Sequence, residues 1–243
     1  MVDPALNASS TLTANRACET ESSQERMERL SCCDHLDPVR LPKTYSFFKR
    51  GIDVLGAASL LIVLFPAFAV IAGLVKLSSP GPIFYKSTRV GLCGRPFAFI
   101  KFRSMRPGAD QQLLALLKLN EKDGPIFKMK EDPRVTPVGR ILRKYSLDEL
   151  PQLWSVLIGD MSLVGPRPPV IKEVEQYDEF AFRRLTVKPG ITCYWQIMGR
   201  SQLSFGEWME LDNRYIDEMG LSRDIAILLK TPAAVLFPRG GAY

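Results

Sequence analysis

The sequence predicts an α/β chain of the α+β kind: a long apolar helical segment, then a small domain of helices with short strands. Three observations predict it. Residues 51–77 are small or apolar apart from Asp53 and Lys76. Residues 82–106 hold two β-rich runs around a glycine-containing turn. Beyond residue 110, apolar blocks of helical character alternate with Pro- and Gly-rich breaks.

Taken in order, residues 1–44 are rich in Ser, Thr, Glu and Asn. They carry no sustained apolar pattern, which predicts a disordered polar tail. No apolar stretch follows Met1, so no signal peptide is expected. The run GIDVLGAASLLIVLFPAFAVIAGLVKL has membrane-helix length, for which about 20 apolar residues suffice. Pro66 interrupts it and removes a helical hydrogen bond. Positive charge flanks both ends: Lys43, Lys49 and Arg50 before, Lys76, Lys86, Arg89 and Arg95 after. Positive charge stays on the cytoplasmic side. A re-entrant hairpin bent at Pro66 satisfies that rule, and a kinked span satisfies the length; the residues alone leave both open. Asp53 falls one turn beyond Lys49 and Arg50, which predicts ion pairing among these three at the lipid interface.

PIFYKSTRVG and RPFAFIKFRSM read as two strands joined by GLCGR. Lys101 and Arg103 alternate there, so both are expected on one face. DQQLLALLKL (110–119) predicts a helix, and DPRVTPVGRILRKY a loop entering a short one. GDMSLVGPRPPV reads as a proline-stiffened loop and IKEVEQYDEFAFRRL as helical. VKPGITCYWQIMGRS combines a Pro-Gly turn with a short apolar segment. FGEWMELDNRYIDEMG is a helix rich in acids and aromatics. SRDIAILLKTPAAVLF (222–237) is apolar enough to lie in a membrane interface or beneath the domain.

Composition narrows the chemistry. A formal net charge of +6 points to anionic partners: nucleic acid, nucleotide or phospholipid. Five cysteines without zinc-type spacing suit a reducing compartment. The only histidine, His35, lies in the tail, so a Ser-His-Asp or Cys-His set is excluded. Neither a G-x-x-x-x-G-K-[ST] loop nor a G-x-G-x-x-G fingerprint is present. A base, nucleophile or metal ligand must therefore be a carboxylate, Lys, Tyr or Cys.

Asp148 and Glu149, in KYSLDELPQLW, are adjacent acids in an apolar run. One reading is a capping box, Ser146 with Glu149. The other is chemistry. Arg140, Arg143 and Lys144 precede the pair, and Arg167 follows, locked between Pro166 and Pro168. Arginines neutralise phosphates bidentately. One carboxylate can hold Mg²⁺ and the other attack phosphorus. The set therefore suggests a pyrophosphate-binding site.

These residues also carry a resemblance. KRGID, PGPIFYKSTRVG, FIKFRSM, DPRVTPVGRILRKYSLDELPQLWSVLIGDMSLVGPRP, KPGIT and WQIMGRS resemble the monotopic phosphoglycosyl transferases of bacteria, over roughly residues 45–237. The last residues look most like the exopolysaccharide-priming branch, in its minimal form. The resemblance implies a re-entrant membrane helix over 45–78 and a cytoplasmic catalytic domain with interfacial helices over 79–243. It implies transfer of hexose-1-phosphate, galactose or glucose, from a UDP-sugar to undecaprenyl phosphate at the bacterial inner membrane. Asp148 would be the nucleophile, forming an aspartyl phospho-sugar, and Glu149 the Mg²⁺ ligand. Lys101, Arg143, Arg167 and Asp212 would bind phosphate or nucleotide, with Arg200 a further nucleotide contact. No nucleic acid is expected, and a homo-oligomer is compatible. Two positions depart from the family pattern: Phe65 precedes Pro66 where relatives often have Ser, and Cys193 follows PGIT where Gly is usual. The alternative is a single-span membrane protein whose basic domain binds polyanions without chemistry.

Overall fold

The computed structural model describes residue 30 and residues 33–121, 123–199 and 202–237. Arg200 and most of the expected polar tail lie outside these residues.

Two helices open the structure, α1 (Lys43–Val63) and α2 (Phe65–Ser78). No single helix among the described residues is long and apolar enough to cross a membrane. This pair passes together, bent by 62°. The bend falls at Leu64, with φ −88° and ψ 0°. Pro66 sits in the first turn of α2. There its missing N–H would have had no partner anyway, so it starts a helix rather than breaking one.

The hairpin β1 (Phe84–Val90) and β2 (Pro96–Phe102) follows, antiparallel, with Tyr85 opposite Lys101 and Arg89 opposite Phe97. Then come α3 (Ala109–Leu116), α4 (Pro137–Lys144), a 3₁₀ segment Leu147–Gln152, and α5 (Leu153–Ile158). Strand β3 (Ser162–Val164) pairs in parallel with β4 (Gly190–Thr192). Between them lie α6 (Ile171–Val174) and α7 (Glu179–Phe182). The helical block expected at 171–185 is thus split. Asp178 starts a new helix by accepting the Ala181 N–H at 2.8 Å. Helices α8 (Tyr194–Met198), α9 (Phe205–Asp217) and α10 (Leu221–Leu236) complete the described chain.

Three apolar clusters hold these elements. Ala57 of α1 packs with Leu153, Val156, Leu163 and Ile227. Ile71 and Val75 of α2 pack with Phe102 and Leu142. Leu30 and Cys33 pack with Val90, Val174, Leu185 and Trp208. This last cluster corrects the reading of a polar tail through residue 44. Sparse as they are, Leu30, Cys33 and Leu36 cover one cluster, and the Val39 N–H bonds the Thr186 carbonyl at 2.9 Å.

The expected charge cluster at the lipid interface is also corrected. Lys49 pairs with Asp224 of α10 at 2.8 Å rather than with Asp53. Arg50 donates to the Val156 and Leu157 carbonyls at 2.6 and 2.7 Å, near the C-terminal end of α5. Asp53 is buried and accepts from the Leu163 N–H and the Ser162 hydroxyl at 2.8 and 3.0 Å. The i,i+4 spacing correctly put these charges on neighbouring faces. All three charges bolt the bent helix pair to the domain.

Candidate active site

The site forms where the 3₁₀ segment crosses β2. Its sequence flanks explain its pose. Leu147 and Leu150 pack on the cluster formed by α2, β2 and α4. That turns Asp148 inward; it is 5% exposed. Glu149 is half-buried beside it. Ser146, just before them, has a left-handed backbone at φ 52° and makes no side-chain cap. The capping box is therefore not formed. A left-handed non-glycine residue costs roughly 1–2 kcal/mol, and here it ends α4 so that the chain reverses under β2.

Helix α4 is itself capped, by the Thr136 hydroxyl accepting from the Gly139 N–H at 2.9 Å. It carries Arg143 in its last turn. Burial pulls the Arg143 pKa down, opposed by Asp148 and Asp132. Lys101 lies on β2 with its ammonium 5.5 Å from the Tyr85 ring centre. Burial brings its pKa down to about 8; Asp148 opposes that shift, while Arg143, Arg89 and Arg167 add to it. Arg167 emerges half-buried from the Gly-Pro-Arg-Pro loop, near Trp195 and Trp208. The structure thus brings Lys101, Arg143, Asp148, Glu149 and Arg167 together from three separate stretches of chain.

It also adds Arg89, one of the positive charges that follow the apolar segment in the sequence. Arg89 is buried, donates to the Pro168 carbonyl at 3.2 Å and lies over Phe99. Burial first, then Arg167, lowers its pKa to about 10. The signal was readable. In an antiparallel hairpin, opposite residues share a face, so Arg89, two residues along from Ser87 and four from Tyr85, lies on the Lys101 face.

Other expected members lie elsewhere. Arg103 follows β2 and turns away from Lys101, donating to the Val75 and Ser79 carbonyls at the end of α2. Asp212 is fully buried and forms an ion pair with Arg184 at 2.8 Å. Burial pushes its carboxyl up, while Arg184 and the Trp208 indole hold it down. Arg200 falls outside the described residues. Cys193 is completely buried at the start of α8, and burial keeps it a thiol.

Among the described residues, no group of three or more His, Cys, Asp or Glu converges on a metal position. Asp148 and Glu149 still suit Mg²⁺, which takes one or two carboxylates and completes its shell with water and substrate phosphate. With Asp132 paired to Arg134, four cations (Arg89, Lys101, Arg143, Arg167) face two carboxylates. Four cations around a buried carboxylate give the site a net positive charge, which suits an anionic ligand.

The chain is 44% identical over 196 residues to the exopolysaccharide production protein ExoY of Sinorhizobium fredii, an alignment covering 79% of this chain and 87% of that protein. It is 46% identical to the galactosyl transferase CpsE of Streptococcus agalactiae, covering 79% of this chain and 43% of that one. It is 43% identical to the undecaprenyl-phosphate galactose phosphotransferase of Salmonella typhimurium, covering 81% and 42%. It thus spans less than half the length of the latter two relatives. The family model described as bacterial sugar transferase matches residues 44–238. The chain belongs to the bacterial sugar transferase family.

Proposed function

We propose that the chain moves hexose-1-phosphate, galactose or glucose, from a UDP-hexose to undecaprenyl phosphate and releases UMP, the first step of exopolysaccharide assembly. The observation that carries this reading is the buried Asp148 carboxylate inside an excess of cations. A pyrophosphate brings two negative charges where four cations meet two acids. A module that only binds polyanions has no use for acids there. The names of the Salmonella and Streptococcus relatives support galactose as the first sugar to test.

Arg89, Lys101, Arg143 and Arg167 bind the two phosphates and draw charge off the β-phosphorus. An Asp148 oxygen attacks that phosphorus, and its bond to the oxygen bridging the α-phosphate breaks. UMP leaves with that oxygen, and the β-phosphate stays on Asp148 with its sugar. An oxygen of undecaprenyl phosphate then attacks the same phosphorus and frees the carboxylate. Glu149 would hold Mg²⁺, which when bound supplies further neutralisation of the phosphates. Membranes carrying the chain should release UMP from one or more of a panel of UDP-hexoses when undecaprenyl phosphate is added. Absence of UMP across the panel rules the reading out.

The bent pair α1–α2 is proposed to enter the cytoplasmic face of the bacterial inner membrane and return. Leu55, Ile62, Val63, Phe65 and Val70 expose apolar side chains along it, as do Leu229 and Leu236 of α10 and Phe237 just beyond it. Lipid would cover these surfaces. Cysteine labels at positions 43 and 86 are expected to react from the cytoplasmic side alike. Labelling from opposite sides would mean a span.

Lys101 makes binding pH-dependent. A lysine at about 8 is charged below that pH and neutral above it. The kcat/KM for UDP-hexose should therefore fall as pH rises through about 8. In kcat the break should move upward, because bound phosphate favours the ammonium. Lys101→Arg should remove the break, since a guanidinium stays charged. A flat wild-type profile between pH 7 and about 9.5 would contradict this.

A further inference from the structure

Four consecutive carbonyls of the loop at residues 166–169 are taken by three parts of the fold: β4, Arg184 and the end of β1. The Gly190 N–H donates to Pro166 at 2.8 Å, and the Val90 N–H to Pro169 at 3.0 Å. Arg184 Nη2 donates to Arg167 at 2.8 Å, and Arg89 Nη1 to Pro168 at 3.2 Å. Three of the four residues are prolines, with φ set by the ring and no N–H to offer. The carbonyls therefore carry the loop's attachment. The three proline residues are buried, and Arg167 is the half-buried member.

The bond to the Arg167 carbonyl comes from a side chain with an unusual setting. Arg184 is 2% exposed. Its Nη1 donates to the Tyr177 hydroxyl at 2.7 Å, and its Nη2 lies 2.8 Å from the Asp212 carboxylate. Its guanidinium lies 5.0 Å from the Trp208 ring centre, and that of Arg167 5.9 Å from the same ring. A guanidinium buried this deeply requires a counter-charge, which Asp212 supplies from α9. Asp212 is completely buried, so its path to the site runs through Arg184.

We propose that Arg184, held by Asp212 and Tyr177, is a positioning residue that fixes Arg167 for contact with the substrate phosphates. The proposal rests on the phosphoglycosyl transfer reading for its substrate. Bidentate guanidinium–phosphate contact needs alignment, and a misplacement of about 1 Å can cost on the order of 100-fold in rate. Asp212 then acts on catalysis without touching nucleotide.

The test is a double-variant cycle on the full chain in membranes, read as kcat and KM for UMP release. Arg184→Gln and Arg167→Ala should each lower kcat/KM by roughly 100-fold, and the double variant by no more than the worse single. Arg184→Lys, which keeps the charge beside Asp212, should recover part of the loss. Costs that multiply in the double variant would show that Arg184 acts independently of Arg167 and would overturn the proposal. If Arg184→Gln does not fold, Tyr177→Phe and Arg184→Lys run the same cycle with smaller, equally non-additive losses. Hydrogen exchange over residues 161–174 is a second readout. Arg184→Gln should speed exchange there while the β1–β2 ladder, apart from the Val90 N–H that bonds the loop, keeps wild-type rates; unchanged exchange at 161–174 overturns the proposal. This measurement needs no turnover. A wild type that releases no UMP would remove the transferase reading while exchange still decides the role of Arg184.

Discussion

Asp148→Asn is expected to abolish UMP release, by on the order of 10⁴–10⁶-fold, the loss seen when a covalent nucleophile is removed. The carboxamide matches the carboxylate in shape, so the Leu147 and Leu150 contacts that seat the turn remain. What goes is the negative oxygen able to attack phosphorus, together with the charge that partly offsets Lys101 and Arg143. UDP-hexose should still bind, because the four cations are retained and face one carboxylate fewer. The sharpest assay is exchange of labelled UMP into UDP-hexose without lipid acceptor. Wild type should catalyse it through the aspartyl phospho-sugar, and the variant should not. Exchange at the wild-type rate in Asp148→Asn would sink the nucleophile assignment. Glu149→Gln should instead leave an activity that responds to the Mg²⁺ concentration, since the nucleophile is intact.

Gly190→Ala is expected to destabilise the whole domain and silence it. A Cβ on Gly190 would lie 2.1 Å from the backbone nitrogen of Gly165, and one on Gly165 2.4 Å from the Lys188 carbonyl oxygen. Both obstacles are main chain and cannot rotate aside. The two glycines let β3 and β4 meet closely enough for the Gly190 N–H to reach the Pro166 carbonyl. Overpacking of this kind costs about 3 kcal/mol or more, which for a chain of this size lowers Tm by roughly 6–12 °C. Arg167 moves with its loop, so UMP release should fall even below the new Tm. A variant with unchanged Tm and full activity would mean that the strands do not approach as described.

Much of this was legible in sequence where the cause is local. The β1–β2 hairpin follows from β-rich runs around a turn, and α9 was expected as a helix rich in acids and aromatics; the structure adds its capping box, in which Ser204 and Glu207 satisfy each other. A break near Pro66 was legible because proline is tolerated in the first turn of a helix, and it opens α2 just after the turn at Leu64. Other expectations failed because a distant partner, or the local course of the backbone, prevailed over spacing along the chain. Lys49 lies one turn from Asp53 yet pairs with Asp224, far along the chain. Ser146 and Glu149 have capping-box spacing, but the left-handed backbone at Ser146 spends that turn on reversing the chain. Arg103 follows Lys101 at strand spacing but leaves the sheet to hold the end of α2.

By itself the sequence determined the kinds of element, the apolar bent segment, and the acids and cations available to a phosphate site. These depend on spacing, composition and proline geometry, which act within a few residues. Only the tertiary structure decided which charges meet. It put Arg89 among the site's cations, withdrew Asp212 behind Arg184, and turned Lys49, Arg50 and Asp53 from lipid-facing charges into bonds with the domain. The physical reason is desolvation. A charge buried in a fold takes whichever partner can follow it out of water, and that partner is chosen by packing rather than by distance along the chain.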